Sequence, residues 1–246
     1  MRRELWMVGC CVLLVFLFAG TAEATYNLHI TGWLHRYDGV TIWANIGGGM
    51  HESGTYGAGA FTWQLNGQTQ NSPLYCLDIY HTFNWGNQWN VQPFIVHPDP
   101  PYPPPYNTGE ASWLFHKYGY TAVQYQTAGV QLALWETSHD KNWRTYWANT
   151  GGQWSASGDF QCSGTWDLRT RGYATTVLLD LYNNYRVQDA GHATYYQPIP
   201  YHENQYFYQG QLGEMRDSDV PEPSATVLLG LSLLAVSGVV WKKRPR

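Results

Sequence analysis

A proline-rich run in the middle of the chain, HPDPPYPPP at residues 97–105, separates two parts of the sequence with different periodicity. Proline fixes φ and lacks an amide hydrogen, so this run is expected to be extended and non-helical. Before it, short runs rich in β-branched and aromatic residues predict strands. After it, apolar residues recur at helical spacing. The sequence therefore predicts an α+β protein, with strands first and helices later.

Several strands are predicted before the proline run, beginning with short strands over residues 25–46. Residues 40–44 (VTIWA) precede a flexible glycine turn, and residues 60–65 (AFTWQL) alternate and end at an Asn-Gly turn. Residues 74–80 (LYCLDIY) form the last of them, and side chains two apart on a strand face the same side. Residues 50–59 are expected to be a loop.

Three helices are predicted after the proline run, at 108–118, at 121–138 and at 173–185. Thr121 is placed to cap the second helix. Gly129 lies inside it, at a cost of about 1 kcal/mol, and marks a point of close backbone approach. Residues 151–164 are expected to be a glycine- and serine-rich turn region around Cys162.

The N-terminal 24 residues have the layout of a secretory signal. Arg2 and Arg3 give the positive start, residues 8–19 are almost wholly apolar, and Ala-Glu-Ala at 22–24 supplies a small-x-small cleavage pattern. The apolar run is short for a membrane span. The sequence therefore predicts an exported protein.

The C-terminal end is a tripartite pattern. Pro221-Glu222-Pro223 is followed by an apolar run at 225–241 and the basic cluster KKRPR at 242–246. Such a run can just span a bilayer, with the basic cluster on the cytoplasmic side, so a plain membrane anchor is one interpretation. The pattern also resembles the PEP-CTERM sorting signal of Gram-negative bacteria that make exopolysaccharide. That resemblance implies membrane insertion through this helix, processing by an exosortase, and delivery to the envelope, the outer surface or the extracellular matrix.

Charge in the part between the two signals is mildly acidic. Eight of the 14 Lys and Arg remain there, against 15 of the 18 Asp and Glu. There is no basic patch, which argues against nucleic acid as a partner. The abundant Trp and Tyr are scattered along the sequence, which favours a core and sheet surface built from aromatic rings over a sugar-stacking site.

Two motifs carry the candidate chemistry. Tyr75-Cys76-Leu77-Asp78 is an aromatic-Cys-aliphatic-acid sequence, and residues 130–135 (VQLALW) read aliphatic-Gln-x-Ala-aliphatic-Trp. The pair, in this order, resembles the thioester domains of bacterial surface adhesins, over roughly residues 26–190. The resemblance implies a β-rich barrel or sandwich core with an inserted helical subdomain, and an internal thioester between the Cys76 sulfur and the Gln131 carbonyl. The family often has Thr before the Gln, where this chain has Val130.

The resemblance also implies a function. Thioester domains couple covalently to a nucleophile on a surface, so an amine or hydroxyl on a protein or polysaccharide is the expected partner. No turnover, cofactor or metal is expected. Asp78 either accepts local backbone hydrogen bonds or acts as acid or base, and Tyr75, Trp135 and His81 are the expected pocket lining. Glu136 is expected to be solvated.

Other interpretations of the same residues remain open. Cys76 and Cys162 are the two cysteines outside the signal, and an even count in an exported protein also predicts a disulfide. That bond would suit a non-covalent structural or carbohydrate-binding matrix protein. A conventional enzyme is a third class, for example with His139-Asp140 near His116, although the common phosphate-loop, zinc and nucleophile-elbow motifs are absent from the sequence.

The predicted organisation follows from these patterns. It consists of a signal peptide at 1–24, a thioester-like domain at 25–190, a polar strand or linker at 191–219, and the sorting signal at 220–246.

Overall fold

The structure is a computed structural model, and it describes most of the part between the two predicted signals. The described residues are 25–47, 50–79, 86, 88–95, 106–152, 158–163, 168–187, 193–198 and 211–214. Both predicted signals lie outside these ranges, as do His81 and Pro221-Glu222-Pro223. None of the described helices is both long enough and apolar enough to cross a membrane.

The described part of the chain begins with five strands, and after residue 100 it forms three helices, a strand, a fourth helix and two more strands. The strands are β1 (Tyr26–Gly47), β2 (Met50–Leu65), β3 (Gln68–Thr69), β4 (Tyr75–Cys76), β5 (Gln88–Ile95), β6 (Phe160–Ser163), β7 (Thr194–Pro198) and β8 (Gln211–Gly213). The helices are α1 (Thr108–Tyr118), α2 (Gln124–His139), α3 (Trp143–Thr150) and α4 (Leu168–Asn184).

The described strands form one antiparallel sheet of eight strands. Its order is β3-β2-β1-β5-β7-β8-β4, and β6 pairs with β1 beside this path. The predicted α+β class is confirmed, but the predicted barrel is wrong because the sheet is open. Its two end strands, β3 and β4, contain two residues each, which is too short to close it along their length. One isolated bridge between Phe61 and Leu74 links β2 to the residue before β4.

The long hairpin of β1 and β2 corrects the loop predicted at 50–59. Those residues belong to β2 and pair with β1 from Gly47↔Met50 to Leu28↔Leu65, with several register shifts. Their glycine and serine content hides the strand in the sequence, and the pairing with β1 supplies the order. The predicted strand at 60–65 is confirmed. The turn that follows has positive φ at both Asn66 and Gly67, as a type I′ hairpin turn requires.

The strand predicted at 74–80 is shorter than expected. Only Tyr75 and Cys76 form β4, which pairs with β8, and the chain leaves the strand at Leu77. The expectation that Cys76 and Asp78 share a strand face is therefore wrong. The segment turns here because its main chain is bound by helix α2 rather than by a neighbouring strand.

Helix α2 is the centre of the molecule. Every residue from Thr127 to His139 is buried, and the helix packs against α1, α4, β1 and β2. It begins at Gln124, three residues after the predicted cap Thr121, and its N-cap position is Val123 without a side-chain cap. Helix α1 matches its prediction.

Two further regions differ from the sequence prediction. Helix α3 was not predicted, and Cys162 lies in strand β6, opposite Ile42 of β1, rather than in a turn. The helix predicted at 173–185 is confirmed as the later part of α4. Many of the aromatic side chains belong to the core, as expected. The largest buried ones are Trp63, Trp143, Tyr75, Tyr196, Phe115 and Phe160.

Candidate functional site

Cys76 and Gln131, 55 residues apart in the sequence, are in direct contact. The Cys76 amide donates to Gln131 Oε1 at 3.1 Å, and Gln131 Nε2 donates to the Cys76 carbonyl at 2.7 Å. Both residues are 1% exposed. The carboxamide of Gln131 thus pairs with the Cys76 main chain on the side that a neighbouring strand would occupy.

The same helix also binds the chain after Cys76. Ser138 Oγ donates to the Leu77 carbonyl at 3.1 Å, and His139 Nε2 lies 2.7 Å from that oxygen and 3.2 Å from the Ile79 amide nitrogen. Ser138 and His139 follow Gln131 by seven and eight residues, about two helical turns, so all three lie on one side of α2. Three side chains of one helix therefore fix the short segment 76–79.

The Cys76 sulfur is enclosed by its own segment and by α2. It donates to the Asp78 carbonyl at 3.0 Å. Burial, and next the nearby charge of Asp78, raise the pKa of this thiol, whereas the Trp135 indole N–H and the Asp78 main chain lower it. The net shift is upward, so the protonated thiol is the favoured form.

Two of the residues expected to line the pocket, Tyr75 and Trp135, are buried close to Cys76 and Gln131 in the chain. Tyr75 is fully buried, its hydroxyl donates to the Gly119 carbonyl at 2.8 Å, and its ring meets Phe115 edge-on. Burial raises the pKa of Tyr75. Trp135 lies one turn after Gln131 on α2 and is 3% exposed. The side chain of Asp78 is also buried.

Glu136 contradicts its predicted exposure. It is completely buried, and neither carboxyl oxygen has a hydrogen-bond partner. Burial, and to a smaller degree the charge of Asp140, raise the pKa of Glu136 and favour the neutral acid. The prediction failed because it treated α2 as a helix with a solvated face, whereas sheet and helices enclose this one.

The two cysteines outside the predicted signal are both free and buried in the structure. Cys162 lies in β6 on the side of α2 that carries Glu136, and burial, followed by the charge of Glu136, raises the pKa of its thiol. Cys76 instead contacts Gln131 and Asp78. The arrangement favours separate environments for the two sulfurs over a bond between them.

His139 is the site residue that sequence reasoning did not select. The sequence offered it only as part of a possible enzyme site with Asp140 and His116, but His116 is exposed and His139 is buried against the segment after Cys76. The available signal was its spacing of eight residues from Gln131. Within the described residues, no group of three or more His, Cys, Asp and Glu side chains could hold a metal ion.

The arrangement can polarise the Gln131 carbonyl. A backbone N–H that donates to a carbonyl oxygen also stabilises negative charge on that oxygen, which is the principle of an oxyanion hole. Here the donor belongs to the residue that carries the sulfur, and rotation about χ1 moves a side chain between staggered positions without moving the main chain. The nucleophile and the group that activates its target are thus held in one residue.

No family model matches this sequence, and neither the curated proteins nor the solved structures include a significant match to it.

Proposed function

We propose that the protein is an exported surface or matrix protein in which Cys76 and Gln131 form an internal thioester. The thioester couples covalently to an amine or hydroxyl on a protein or polysaccharide and so attaches the protein to a surface. The observation that carries this proposal is the pair of hydrogen bonds, at 3.1 and 2.7 Å, between the Gln131 carboxamide and the Cys76 main chain.

The bond would form by loss of ammonia. The Cys76 sulfur attacks Cδ of Gln131, the C–S bond forms, the bond from Cδ to Nε2 breaks, and the thiol proton leaves on the nitrogen. An amide is a poor acceptor in water, but holding the reacting groups in place is worth about 7–11 kcal/mol. The Cys76 amide would stabilise the oxygen during the attack.

Burial supports storage of the reactive bond. At 1% exposure, both residues are shielded from the water that would hydrolyse a thioester. Attack by an amine then gives an amide with the Gln131 carbonyl carbon and releases Cys76 as a thiol. Each molecule reacts once, so the protein is not an enzyme with turnover.

The fold is compatible with a thioester domain. Helices α1, α2 and α3 lie between β5 and β6 in the chain, so we infer that they correspond to the inserted helical subdomain. Residues 220–246 would direct the protein to the membrane for processing by an exosortase and release to the cell envelope. A Gram-negative type of bacterium is the expected source of such a signal.

The intact mass of the purified domain tests the thioester. We expect the wild-type mass to be lower by one ammonia than the mass of the reduced chain. Methylamine should then add its full mass, because the Cys76 thiol that it releases stays in the protein, and that thiol should become alkylatable under denaturing conditions. A wild-type mass equal to that of the reduced chain, with no ammonia lost, contradicts the proposal.

Variants separate the thioester from a disulfide. Cys76→Ala and Gln131→Ala should each abolish ammonia loss, whereas Cys162→Ala should preserve it. If reductant changes the wild-type mass by two hydrogens and Cys162→Ala prevents that change, the two cysteines are joined and the thioester proposal is wrong.

Attachment to a surface is measured separately. Wild-type protein coupled through the thioester should stay bound to the surface during boiling in detergent. The Cys76→Ala and Gln131→Ala variants should not be retained under the same conditions. Retention that is indifferent to Cys76→Ala and is lost with competing sugar would instead identify a non-covalent carbohydrate-binding protein.

A further inference from the structure

The indole nitrogen of Trp135 is buried without a hydrogen-bond partner. Trp135 is 3% exposed, and its Nε1 makes no hydrogen bond that meets normal geometry. Two other buried indoles among the described residues do have partners: Trp63 Nε1 donates to the Ser72 carbonyl at 2.8 Å, and Trp143 Nε1 donates to Glu110. Since buried polar groups are normally paired, an unpaired donor at this position requires a reason.

The position of Trp135 supplies the reason. It lies four residues after Gln131 on α2, so both side chains lie on the same side of the helix, which faces β4. The indole N–H is also near enough to the Cys76 sulfur to lower the pKa of that thiol, against the larger upward effects of burial and Asp78. A neutral thiol is a weak acceptor, which accounts for a contact that falls short of a hydrogen bond.

We propose that the Trp135 indole N–H is a catalytic donor that stabilises negative charge on the Cys76 sulfur while the thioester forms and while an amine opens it. This inference rests on the proposed thioester function and adds a residue with a defined role to it. In this scheme the Cys76 amide donates to the carbonyl oxygen of Gln131, and the Trp135 indole N–H donates to the Cys76 sulfur.

A donor that is weakly used in the resting state is suited to this role. Only interactions that are stronger in the transition state than in the ground state accelerate a reaction. When the thiol loses its proton and attacks Cδ of Gln131, the sulfur becomes a much better acceptor than the thiol. Trp135 then gains a charge-assisted hydrogen bond that it lacked before.

The same contact acts in the opening reaction. An amine nitrogen attacks the thioester carbon, the C–N bond forms, and the C–S bond breaks with its electron pair on sulfur. The proton lost by the amine then neutralises the sulfur and restores the Cys76 thiol. The indole donor stabilises the leaving sulfur. Its removal should therefore slow both the formation of the thioester and its opening by an amine.

The test replaces the indole N–H without changing the shape of the ring. The full chain without its two signals is produced with 3-benzothienylalanine at position 135, and Trp135→Phe serves as a second variant. Intact mass gives the rate of ammonia loss after refolding and the rate of methylamine coupling. We expect both rates to fall roughly 10- to 100-fold in both variants, with the pH dependence of ammonia loss shifted to higher pH.

A matched control is available at Trp147, which is 6% exposed and stacks on Tyr182. The same isostere at position 147 should leave both rates unchanged, and melting temperatures show whether each variant is folded. Wild-type rates and an unchanged pH profile in the 135 isostere overturn this inference while the thioester proposal stands. A wild-type protein that never loses ammonia overturns both.

Discussion

The Gln131 side chain pairs with the main chain of Cys76 through a donor and an acceptor at once. Oε1 accepts from the Cys76 amide at 3.1 Å, and Nε2 donates to the Cys76 carbonyl at 2.7 Å. This pairing replaces the strand that would otherwise satisfy that edge of β4. The residue therefore has a structural role as well as the chemical one proposed for it, and variants must separate the two.

Gln131→Glu is expected to abolish ammonia loss and to destabilise the fold. A carboxylate cannot donate to the Cys76 carbonyl, and a buried group left without its partner costs about 1–3 kcal/mol. Urea unfolding and intact mass measure the two effects. Gln126→Glu, in the half-buried first turn of the same helix, is the control and should change neither appreciably. Ammonia loss that persists in Gln131→Glu would show that another residue supplies the carbonyl.

The close packing of α2 on α4 depends on Gly129. A Cβ at this position would lie 3.0 Å from the Thr170 carbonyl oxygen, 3.0 Å from Tyr173 Cδ1 and 3.1 Å from the Ala174 nitrogen. Two of these three atoms belong to the backbone of α4 and cannot move aside as a side chain can.

Gly129→Ala should therefore destabilise the protein by about 1–3 kcal/mol through overpacking, which exceeds the gain of about 1 kcal/mol in helix propensity. Gly172→Ala is the matched control, since a Cβ there meets no atom within 4 Å, and it should stabilise by about 0.5–1 kcal/mol. Denaturant unfolding measures both. A stabilising Gly129→Ala would mean that the two helices separate without cost.

The sequence predicted that Cys76 and Gln131 lie together, but it did not predict the shape of the segment 76–79 that follows Cys76. Gly129 inside a helix indicated a close approach, and the structure confirms it at α4. The strand predicted through Asp78 instead ends at Cys76, because Ser138 and His139 bind the main chain of Leu77. Contacts of this kind join residues about 60 positions apart, and local pattern does not encode them.

Burial of charged residues was the other point that sequence could not resolve. Glu136 follows an apolar run on a helix, and exposure is the usual state of such a glutamate. Its burial depends on β6 and α4 both covering α2, which only the tertiary arrangement determines. The loop predicted at 50–59 failed for a similar reason, because pairing with β1 overrides the weak strand propensity of its glycines.

Glu136 is expected to make stability fall as pH rises. Its pKa is raised in the folded state by burial and by Asp140, so the folded protein holds this proton more tightly than the unfolded chain does. The contribution is complete below the unfolded pKa of about 4.5 and is lost as pH rises through the folded pKa.

Glu136→Gln should therefore be more stable than the wild type at pH 7–8, with a difference that shrinks toward pH 4. Denaturant unfolding across this range measures it. Asp140→Asn is a useful comparison, because burial raises the pKa of Asp140 to about 6 and confines its own contribution to the window between about 4 and 6. Identical pH profiles for wild type and Glu136→Gln would mean that the pKa of Glu136 is the same in the folded and unfolded states, which would contradict its burial as a neutral acid.

Arg144 is expected to contribute more to stability than the more exposed ion pair of Lys117. Its guanidinium binds Glu110 at 2.6 Å, donates to the Tyr182 carbonyl at 3.1 Å, and lies 5.0 Å from the Trp143 ring centroid. It thus joins α3 to α1 and α4, and its carboxylate partner has a side chain only 12% exposed.

Arg144→Ala should cost about 3–5 kcal/mol, because it leaves the Glu110 carboxylate buried with a single indole donor. Lys117→Ala removes a pair with Asp180 whose side chains are 44% and 22% exposed, so it should cost only about 0–1 kcal/mol. Urea unfolding of the two variants at low and high salt measures the difference, and salt should weaken only the Lys117 contribution. Equal costs for the two variants would mean that α3 is not fixed to α1 through Arg144.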